Sequence, residues 1–427
     1  MKSIFFTFII CFIRFCASAQ LLSVEDCYKA ARQNYPLVQQ LELISKSTGY
    51  SIENAAKGYL PQINVNGQIS YQTDVTKVPL QLPGMNIPEM DKGQYRIFAE
   101  ANQILYDGGA IKLQQKLGKV NGAIEAQKLE VELYKLEERI NQLFFGVLFI
   151  TEQLQQNDLI KKDIQLGIDK ANIAVANGSG LKSSVSMLKA ELLKVEQRGI
   201  EQRYSRKGFL DMLSLFINKT LPENIKLLKP DMKLLKPEAE PLAFAQIRRP
   251  ELKLYDEHLS GLDEQERSIG VKNRPKFSAF LQGGIGKPAL NMLSTGTEPF
   301  AIGGLKMSWP LSGLYTLKKE KAIVDVNRKS IGLQKETFLL NTNIQLKQQH
   351  AELEKLRELT ASDEEIIALR ASVKKVSAVQ LENGAINTSD YLRDVNAEDQ
   401  ARQIRLLHEI QLIIAEYNIQ NTTGIKY

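Results

Sequence analysis

Residues 62–72 read QINVNGQISYQ, and their side chains alternate between two kinds of chemistry. Ile63, Val65, Ile69 and Tyr71 occupy one set of alternate positions, and Gln, Asn and Ser occupy the other. Because successive side chains of a β-strand point to opposite faces, the pattern predicts a strand with one apolar and one polar face. A length of about ten residues is also what a tilted strand needs to cross a bilayer.

Three further segments alternate in the same way. Residues 95–105 complete a first pair of strands over 62–105, and a second pair lies within 276–311. In the second pair Leu305 and Met307 fall on the apolar side. Proline-bearing loops separate the strands of each pair: Pro79, Pro83 and Pro88 in the first loop, and Pro288 and Pro299 in the second.

The chain repeats its landmarks. Pro36 returns as Pro250, an offset of 214 residues (250 − 36), and Gly178 returns as Gly384, an offset of 206 (384 − 178). The order of landmarks is the same in both copies, which predicts a tandem duplication of about 200 residues. We therefore divide the chain into a first repeat at 20–220, a proline-rich connector at 221–245 and a second repeat at 246–427.

Most of each repeat is predicted to be helical. Residues 22–58 have a helical pattern, and no proline occurs between Asp107 and Ala176. A helix of that length would span about 100 Å. Apolar residues spaced alternately by four and three predict a coiled-coil seam there. They are Leu129, Leu133, Leu136, Ile140, Leu143, Val147, Ile150 and Leu154.

In each repeat the long helix is predicted to turn at an Asn-Gly pair and to return as a second helix. The turns are Asn177-Gly178 and Asn383-Gly384, and the second return helix is expected to run to about Asn421. Glycine or asparagine supplies the left-handed backbone that ends a helix in such a turn. Each repeat is therefore expected to be a helix, two strands and a long helical hairpin.

Two interpretations of the strands remain open. In a membrane, Ile63, Val65, Ile69, Leu305 and Met307 would face lipid, and the polar face would line a lumen. Such a sheet must close, because an open edge in lipid leaves backbone groups unpaired. Four strands cannot close a barrel, whereas a homotrimer would supply twelve. The alternative is a soluble antiparallel sheet with one buried face.

The N-terminus predicts export. Lys2 precedes an apolar run, and Ala17-Ser18-Ala19 supplies the small residues of a cleavage site, so residues 1–19 are predicted to be a signal peptide. Cleavage would leave Cys27 as the single cysteine, which cannot form an internal disulfide.

The composition argues against several functional classes. The 427 residues carry 55 basic and 49 acidic side chains in a mixed order, which is not the clustered basic face typical of nucleic-acid binding. The three histidines stand far apart. We find no nucleophile–base set, metal-ligand spacing or nucleotide motif, and we expect no cofactor, no metal and no enzymatic activity.

In its motifs the sequence resembles the TolC-like outer-membrane efflux proteins. The resemblance rests on Tyr59-Leu60-Pro61-Gln62-Ile63, on Tyr106-Asp107-Gly108-Gly109, on Pro36 and Pro250, and on the duplicated halves, and it covers nearly all of the mature chain. It implies an α+β fold, in which trimerisation completes a twelve-stranded transmembrane barrel and a coiled-coil helical tunnel. It also implies an outer-membrane location with a large periplasmic portion, and two partners: a periplasmic adaptor and an inner-membrane transporter.

The resemblance further implies a function for the hairpin turns. Gly178 and Gly384 would lie at the closed end of the tunnel, and Asp390 matches an acidic position that in the family forms a cation-binding constriction. Arg393 stands where a second acidic residue is common, with Asp394 next to it. Charges at this spacing are also an ordinary pattern on a helix surface.

Two functions therefore stand against each other. The first is passive exit through an outer-membrane channel for substrates that a pump delivers. The second is a non-conducting exported coiled-coil protein that binds other proteins, such as an adaptor or a stalk.

Overall fold

The computed structural model describes residues 21–76, 90–231 and 247–425. The predicted signal peptide, Pro79, Pro83, Pro88 and most of the predicted connector lie outside these residues. The chain divides into two compact units. The first unit contains residues up to 38, 131–249 and 339–427, and the second contains 39–130 and 250–338. Each unit therefore draws on both predicted repeats.

The predicted helix over 22–58 is in fact two helices, α1 (Val24–Asn34) and α2 (Val38–Ala56). Ser23 caps α1 by accepting a hydrogen bond from the Asp26 backbone. The break falls at Pro36, which has no N–H to donate to a helix and pushes the residue before it into extended backbone. Tyr35 accordingly has φ −66° and ψ 128°.

The four predicted strands form a single antiparallel sheet in the second unit. They are β1 (Gln62–Tyr71), β2 (Gly93–Tyr106), β3 (Lys276–Lys287) and β4 (Glu298–Ser308), in the order β1-β2-β3-β4. The pairing of β2 with β3 joins the first repeat to the second, and a bulge interrupts it between Ile104 and Tyr106. Pro299, which we expected in a loop, lies within β4 opposite Ile285.

Five helices make up most of the rest: α3 (Ala110–Ala176), α4 (Lys182–Ile217), α5 (Pro250–Lys272), α6 (Leu314–Glu382) and α7 (Thr388–Thr423). Helix α3 begins where the carboxylate of Asp107 accepts hydrogen bonds from Gly109 N (2.7 Å) and Ile111 N (2.6 Å). The carboxylate thereby satisfies backbone donors that have no partner within the helix. Gly108 and Gly109 make the preceding turn with positive φ.

The predicted coiled-coil seam of α3 is buried from Leu129 to Ile150, whereas Leu154 is only partly covered. In the first unit the ring of Phe145 packs between Phe144 and Tyr417, with ring centroids 5.5 and 5.0 Å away. Among the described residues, none of the helices is both long enough and apolar enough to cross a bilayer.

Candidate functional site

The two hairpin turns have the same hydrogen-bonded geometry. Gly178 (φ +75°) donates to Val175 O, and Ser179 donates to Ala174 O. In the second hairpin Gly384 (φ +70°) donates to Leu381 O, and Ala385 donates to Gln380 O. This pair of bonds is the Schellman motif, which ends a helix and satisfies its last carbonyl groups. Open space surrounds both glycines, so the positive φ is the reason for glycine there.

The helix that follows the second turn is capped. The side chain of Asn387 accepts a hydrogen bond from Asp390 N (2.9 Å), which fixes the start of α7. Leu181 holds the corresponding position before α4 and makes no such bond. Asn387 was not among the candidates predicted from the sequence, although asparagine three residues before an acidic residue is a common signal for a helix start.

The three charged residues near this cap differ in their surroundings. Arg393 Nη1 lies 3.3 Å from the carboxylate of Asp390, and Arg393 Nε lies 3.7 Å from that of Asp394. The side chain of Asp390 is 36% exposed, whereas that of Asp394 is 15% exposed and accepts a hydrogen bond from the Ser377 hydroxyl. Only Asp390 of the two acids is therefore open to solvent within this chain.

A charged network that the sequence did not reveal lies farther along α6 and α7 and includes Asp163 of the first hairpin. Lys374 Nζ lies 2.8 Å from Asp163 and also pairs with Glu398. Arg402 donates to Glu398 from two nitrogens. The Glu398 side chain is only 4% exposed, so a buried carboxylate is held here by two cations.

These contacts set the charge state of the network. Burial acts to raise the pKa of Glu398, but hydrogen bonds from Lys374 and Arg402 outweigh burial and hold that pKa below its ordinary value. For Lys374 burial acts to lower the pKa, and the bonds to Asp163 and Glu398 outweigh it and raise the pKa. Both groups are therefore charged near neutral pH.

An apolar cluster packs beside this network and joins the two hairpins. Its fully covered members include Ile164 and Leu188 of the first hairpin and Val395 of the second. Tyr391, directly after Asp390, belongs to the same cluster. The backbone around Asp390 is thus fixed by packing, while its carboxylate is left exposed.

In the sheet, the register places the five apolar candidates on one face. Val65 lies opposite Ala99, Ala99 opposite Gly283, and Gly283 opposite Ala301, which shares its face with Leu305. The same alternation includes Ile63, Ile69 and Met307. All five are exposed: Ile63 by 72%, Val65 by 75%, Ile69 by 89%, Leu305 by 79% and Met307 by 55%.

The opposite face of the sheet carries most of the polar side chains and is more covered, and Phe98, Phe280 and Phe300 also lie on it. In the middle of this face the side-chain amide of Gln282 donates a hydrogen bond to the carboxylate of Glu100 (2.9 Å). Near the loop end Arg96 lies 5.1 Å over the ring of Phe300 and donates to Ala289 O (3.4 Å). The start of the loop after β3 therefore rests on this face, and Thr297 near the end of the loop contacts Tyr95 of the apolar face, where the five candidates stay exposed.

Among the described residues no group of three or more His, Cys, Asp or Glu side chains is placed to hold a metal ion. What the arrangement offers is two surfaces, an exposed apolar sheet face and a pair of helical turns with an exposed carboxylate.

Comparison with known proteins finds the same architecture in solved structures. No protein-family model matches the sequence, and no curated protein matches it. Solved structures do match over nearly the whole chain. CusC, described for its transmembrane channel formation, aligns with 94% of this chain and 91% of its own, with TM-score 0.70 and 13% identity.

Two further channels match to a similar extent. VceC, an outer-membrane protein of Vibrio cholerae, aligns with 94% of this chain and 97% of its own, with TM-score 0.65 and 11% identity. The MtrE outer-membrane channel of Neisseria gonorrhoeae aligns with 94% and 89%, with TM-score 0.66 and 14% identity. These neighbours are channel proteins and not enzymes. This chain therefore has the fold of the TolC-like outer-membrane channels.

Proposed function

We propose that this chain is one subunit of a homotrimeric outer-membrane channel. In this proposal the channel gives passive exit to substrates that an inner-membrane transporter delivers through a periplasmic adaptor. The observation that carries the proposal is the four-stranded sheet, whose apolar face is exposed and whose outer strands, β1 and β4, each pair on one side only. Three copies would pair β4 of one chain with β1 of the next and close twelve strands.

The helices support the same assembly, because several of them carry exposed apolar seams. On α6, Ile366, Leu369, Val373 and Val376 follow coiled-coil spacing and are each at least 45% exposed. On α3, Leu166 and Ile173 stand one heptad apart and are 60% and 62% exposed. Seams of this kind are expected to pack against helices of neighbouring copies.

The proposal places the barrel in lipid and the long helices in the periplasm. Ile63, Val65, Ile69, Leu305 and Met307 would face the hydrocarbon, and the face with Glu100 and Gln282 would face water. The turns at Gly178 and Gly384 would form the adaptor end. Because the chain has no nucleotide motif, the energy for transport would come from the partner transporter, and the chain itself would not be an enzyme.

Asp390 is the candidate gate residue. Three symmetry-related carboxylates in a narrow pore would concentrate negative potential and bind cations. Within one chain Arg393 partly balances this charge, and Asp394 is turned toward Ser377. A single ring formed by Asp390 is therefore favoured over a double acidic ring.

Arginine substitutions test the barrel. Val65→Arg and Leu305→Arg should each cost about 2–4 kcal/mol near the bilayer midplane, whereas Gln68→Arg and Ser308→Arg should be tolerated. Folding into lipid vesicles, followed by cross-linking, measures insertion and trimer formation together. Equal tolerance on both faces, or only monomers and dimers, would favour the non-conducting coiled-coil protein.

Single-channel conductance in planar bilayers tests the gate. Asp390→Ala should weaken block by multivalent cations, and Arg393→Ala should favour the open state slightly, because exposed ion pairs are weak. If Asp390→Ala changes neither conductance nor block, the constriction lies elsewhere.

A further inference from the structure

A cluster of basic side chains lies directly beside the sheet, where the strands continue into helices. It consists of Lys112 and Lys116 on α3, Arg267 in the last turns of α5 and Arg274 just after α5, all exposed. We call it the basic collar. All four line one groove of 660 Å³.

The groove also has three acidic side chains, but each is already paired with a basic residue. The pairs are Asp263 with Arg328, Glu264 with Arg267, and Glu266 with both Arg328 and Lys321. Arg274 donates to the backbone oxygen of Gly108 (3.0 Å). Lys112 and Lys116 make no ion pair within the described part of the chain. Lysines one turn apart repel each other, so Lys112 and Lys116 are better explained by an external anion than by helix stability.

The chirality of the amino acids, together with the hydrogen-bond pattern of the sheet, determines on which side of the sheet the collar lies. Gln72 N donates to Lys92 O (2.8 Å), so even-numbered residues of β2 bond to β1 and odd-numbered residues bond to β3. The odd-numbered residues of β2 are those whose side chains lie on the apolar face. When the sheet is viewed from that face with β2 running upward, the chirality of L-amino acids directs the N–H and C=O groups of these residues to the right. In this view β3 therefore lies to the right of β2 and β1 lies to its left.

The same view fixes the orientation of α3, which continues upward from β2. Its Gly118 and Gly122 lie against Ile52 and Thr48 of α2, and its Val120 and Ile124 lie against Gly261 of α5. With α2 on the left and α5 on the right, a right-handed helix presents Lys112, Lys116 and Lys119 to the observer. Lys112 and Lys116, and the groove that they line together with Arg267 and Arg274, therefore lie on the same side as Val65 and Leu305.

The side of α3 that continues the polar sheet face is different. It carries Gln114, Leu117 and Asn121, which line separate grooves with α2 and with α5 and α6. The lysines of this part of α3 are thus confined to the side that continues the apolar face.

The depth of the collar matches the lipid headgroups. Lys112 and Lys116 follow the first residue of α3 by two and six positions, or about 3 and 9 Å along the axis. The headgroup layer on each side of a bilayer is about 5–8 Å thick. Aromatic residues, which are common where the hydrocarbon core meets the headgroups, lie just before the collar in the strands. The ring centroids of Tyr106 and Phe277 are 6.3 Å apart, and Trp309 is 52% exposed.

We infer that the basic collar binds the phosphates of anionic phospholipids in the leaflet that the helices adjoin. This inference rests on the proposed function, because it requires the apolar sheet face to lie in a bilayer. Lysine and arginine are suited to phosphate, and the groove formed by α3 and α5 can hold a headgroup beside the protein surface.

The test uses the full-length protein in nanodiscs of phosphatidylcholine with a minor fraction of phosphatidylglycerol. Native mass spectrometry counts the lipids that each trimer retains on release. The wild type should retain phosphatidylglycerol preferentially, and Lys112→Gln/Lys116→Gln should reduce the preference roughly 30-fold, since each lysine near an anionic surface contributes about a factor of five.

Lys329→Gln/Lys347→Gln is the matched control. Both lysines are exposed and make no ion pair among the described residues, and they follow the start of α6 by 15 and 33 residues, about 22 and 50 Å. The control variant should keep the wild-type preference. An equal loss in both variants would overturn the inference.

Two other outcomes also overturn it and identify the reason. A wild type that inserts into nanodiscs but shows no headgroup preference contradicts the collar alone, whereas failure to insert contradicts the proposed function. If millimolar inorganic phosphate removes the preference completely, the groove binds free anions and not lipid.

Discussion

The hairpin of α3 and α4 and the hairpin of α6 and α7 turn on the same glycine-centred motif, yet their interiors differ in chemistry. With the offset of 206 between the two turning glycines, Lys374 corresponds to Ile168 and Glu398 corresponds to Leu192. Asp394 likewise corresponds to Leu188, which is fully buried. The first hairpin is thus packed with aliphatic side chains where the second holds paired charges.

The difference shows that different residues determine the turn of a hairpin and the packing of its interior. Backbone hydrogen bonds and a positive φ define the turn in both hairpins. The interior depends on which partner reaches each side chain, and in the second hairpin Asp163 of the first hairpin supplies a charge for Lys374. A buried ion pair adds less stability than good apolar packing, but breaking one is costly.

Exchanging the equivalent residues gives the largest expected effect. Leu188→Asp should cost about 4 kcal/mol or more, because it buries a carboxylate with no cation beside it and removes apolar packing. The reverse change, Asp394→Leu, should cost less than about 2 kcal/mol, since it mainly leaves the Ser377 hydroxyl without its acceptor. Unfolding by denaturant in detergent measures both. Equal costs would mean that the two interiors are interchangeable.

Glu398→Ala should have the next largest effect, about 3 kcal/mol, because Lys374 and Arg402 lose the carboxylate between them. The double variant Lys374→Ile/Glu398→Leu copies the first hairpin and should recover most of that loss. The same denaturant titration provides the comparison. A double variant no more stable than Glu398→Ala would show that the charges are not the relevant difference.

The helix starts after the two turns give a smaller difference. Asn387→Ala should cost about 1 kcal/mol through loss of the cap on α7, and Leu181→Asn should gain up to about 1 kcal/mol at the uncapped start of α4. Hydrogen exchange of the first turn of each helix reports the change locally. If Leu181→Asn does not slow hydrogen exchange, another contact already satisfies the backbone N–H groups in the first turn of α4.

The smallest expected difference is in acid stability. The pKa of Glu398 is lowered in the folded chain, so its contribution is fully present above its ordinary value of 4.5 and is lost as the pH falls through the folded value. The contribution of Lys374, whose pKa is raised, is instead lost only at alkaline pH. Thermal midpoints between pH 7 and pH 3 should therefore fall less in Lys374→Ile/Glu398→Leu than in the wild type. Parallel curves would exclude Glu398 as a source of acid sensitivity.

Local patterns allowed much of this fold to be predicted. The strand predicted over 62–72 runs over Gln62–Tyr71, and the one predicted over 95–105 runs over Gly93–Tyr106, because alternation is a property of neighbouring residues. The helical pattern over 22–58 did not show the break at Pro36, since the apolar pattern continues on both sides of it, although the family resemblance included a helix start at Pro36. The pairs Lys374–Asp163 and Lys374–Glu398 could not be predicted, because they depend on how separate helices align along one another.

The pairing of β2 with β3 has a consequence for biogenesis. Tyr106 and Lys276 are separated by 169 residues (276 − 106 − 1), so the centre of the sheet cannot form until most of the chain has been synthesised. The α3–α4 hairpin lies within that interval and needs only local contacts, which form sooner than distant ones. We therefore expect the helical hairpins to be structured while the strands are still unpaired, and the apolar face to form last, when a membrane is available to receive it.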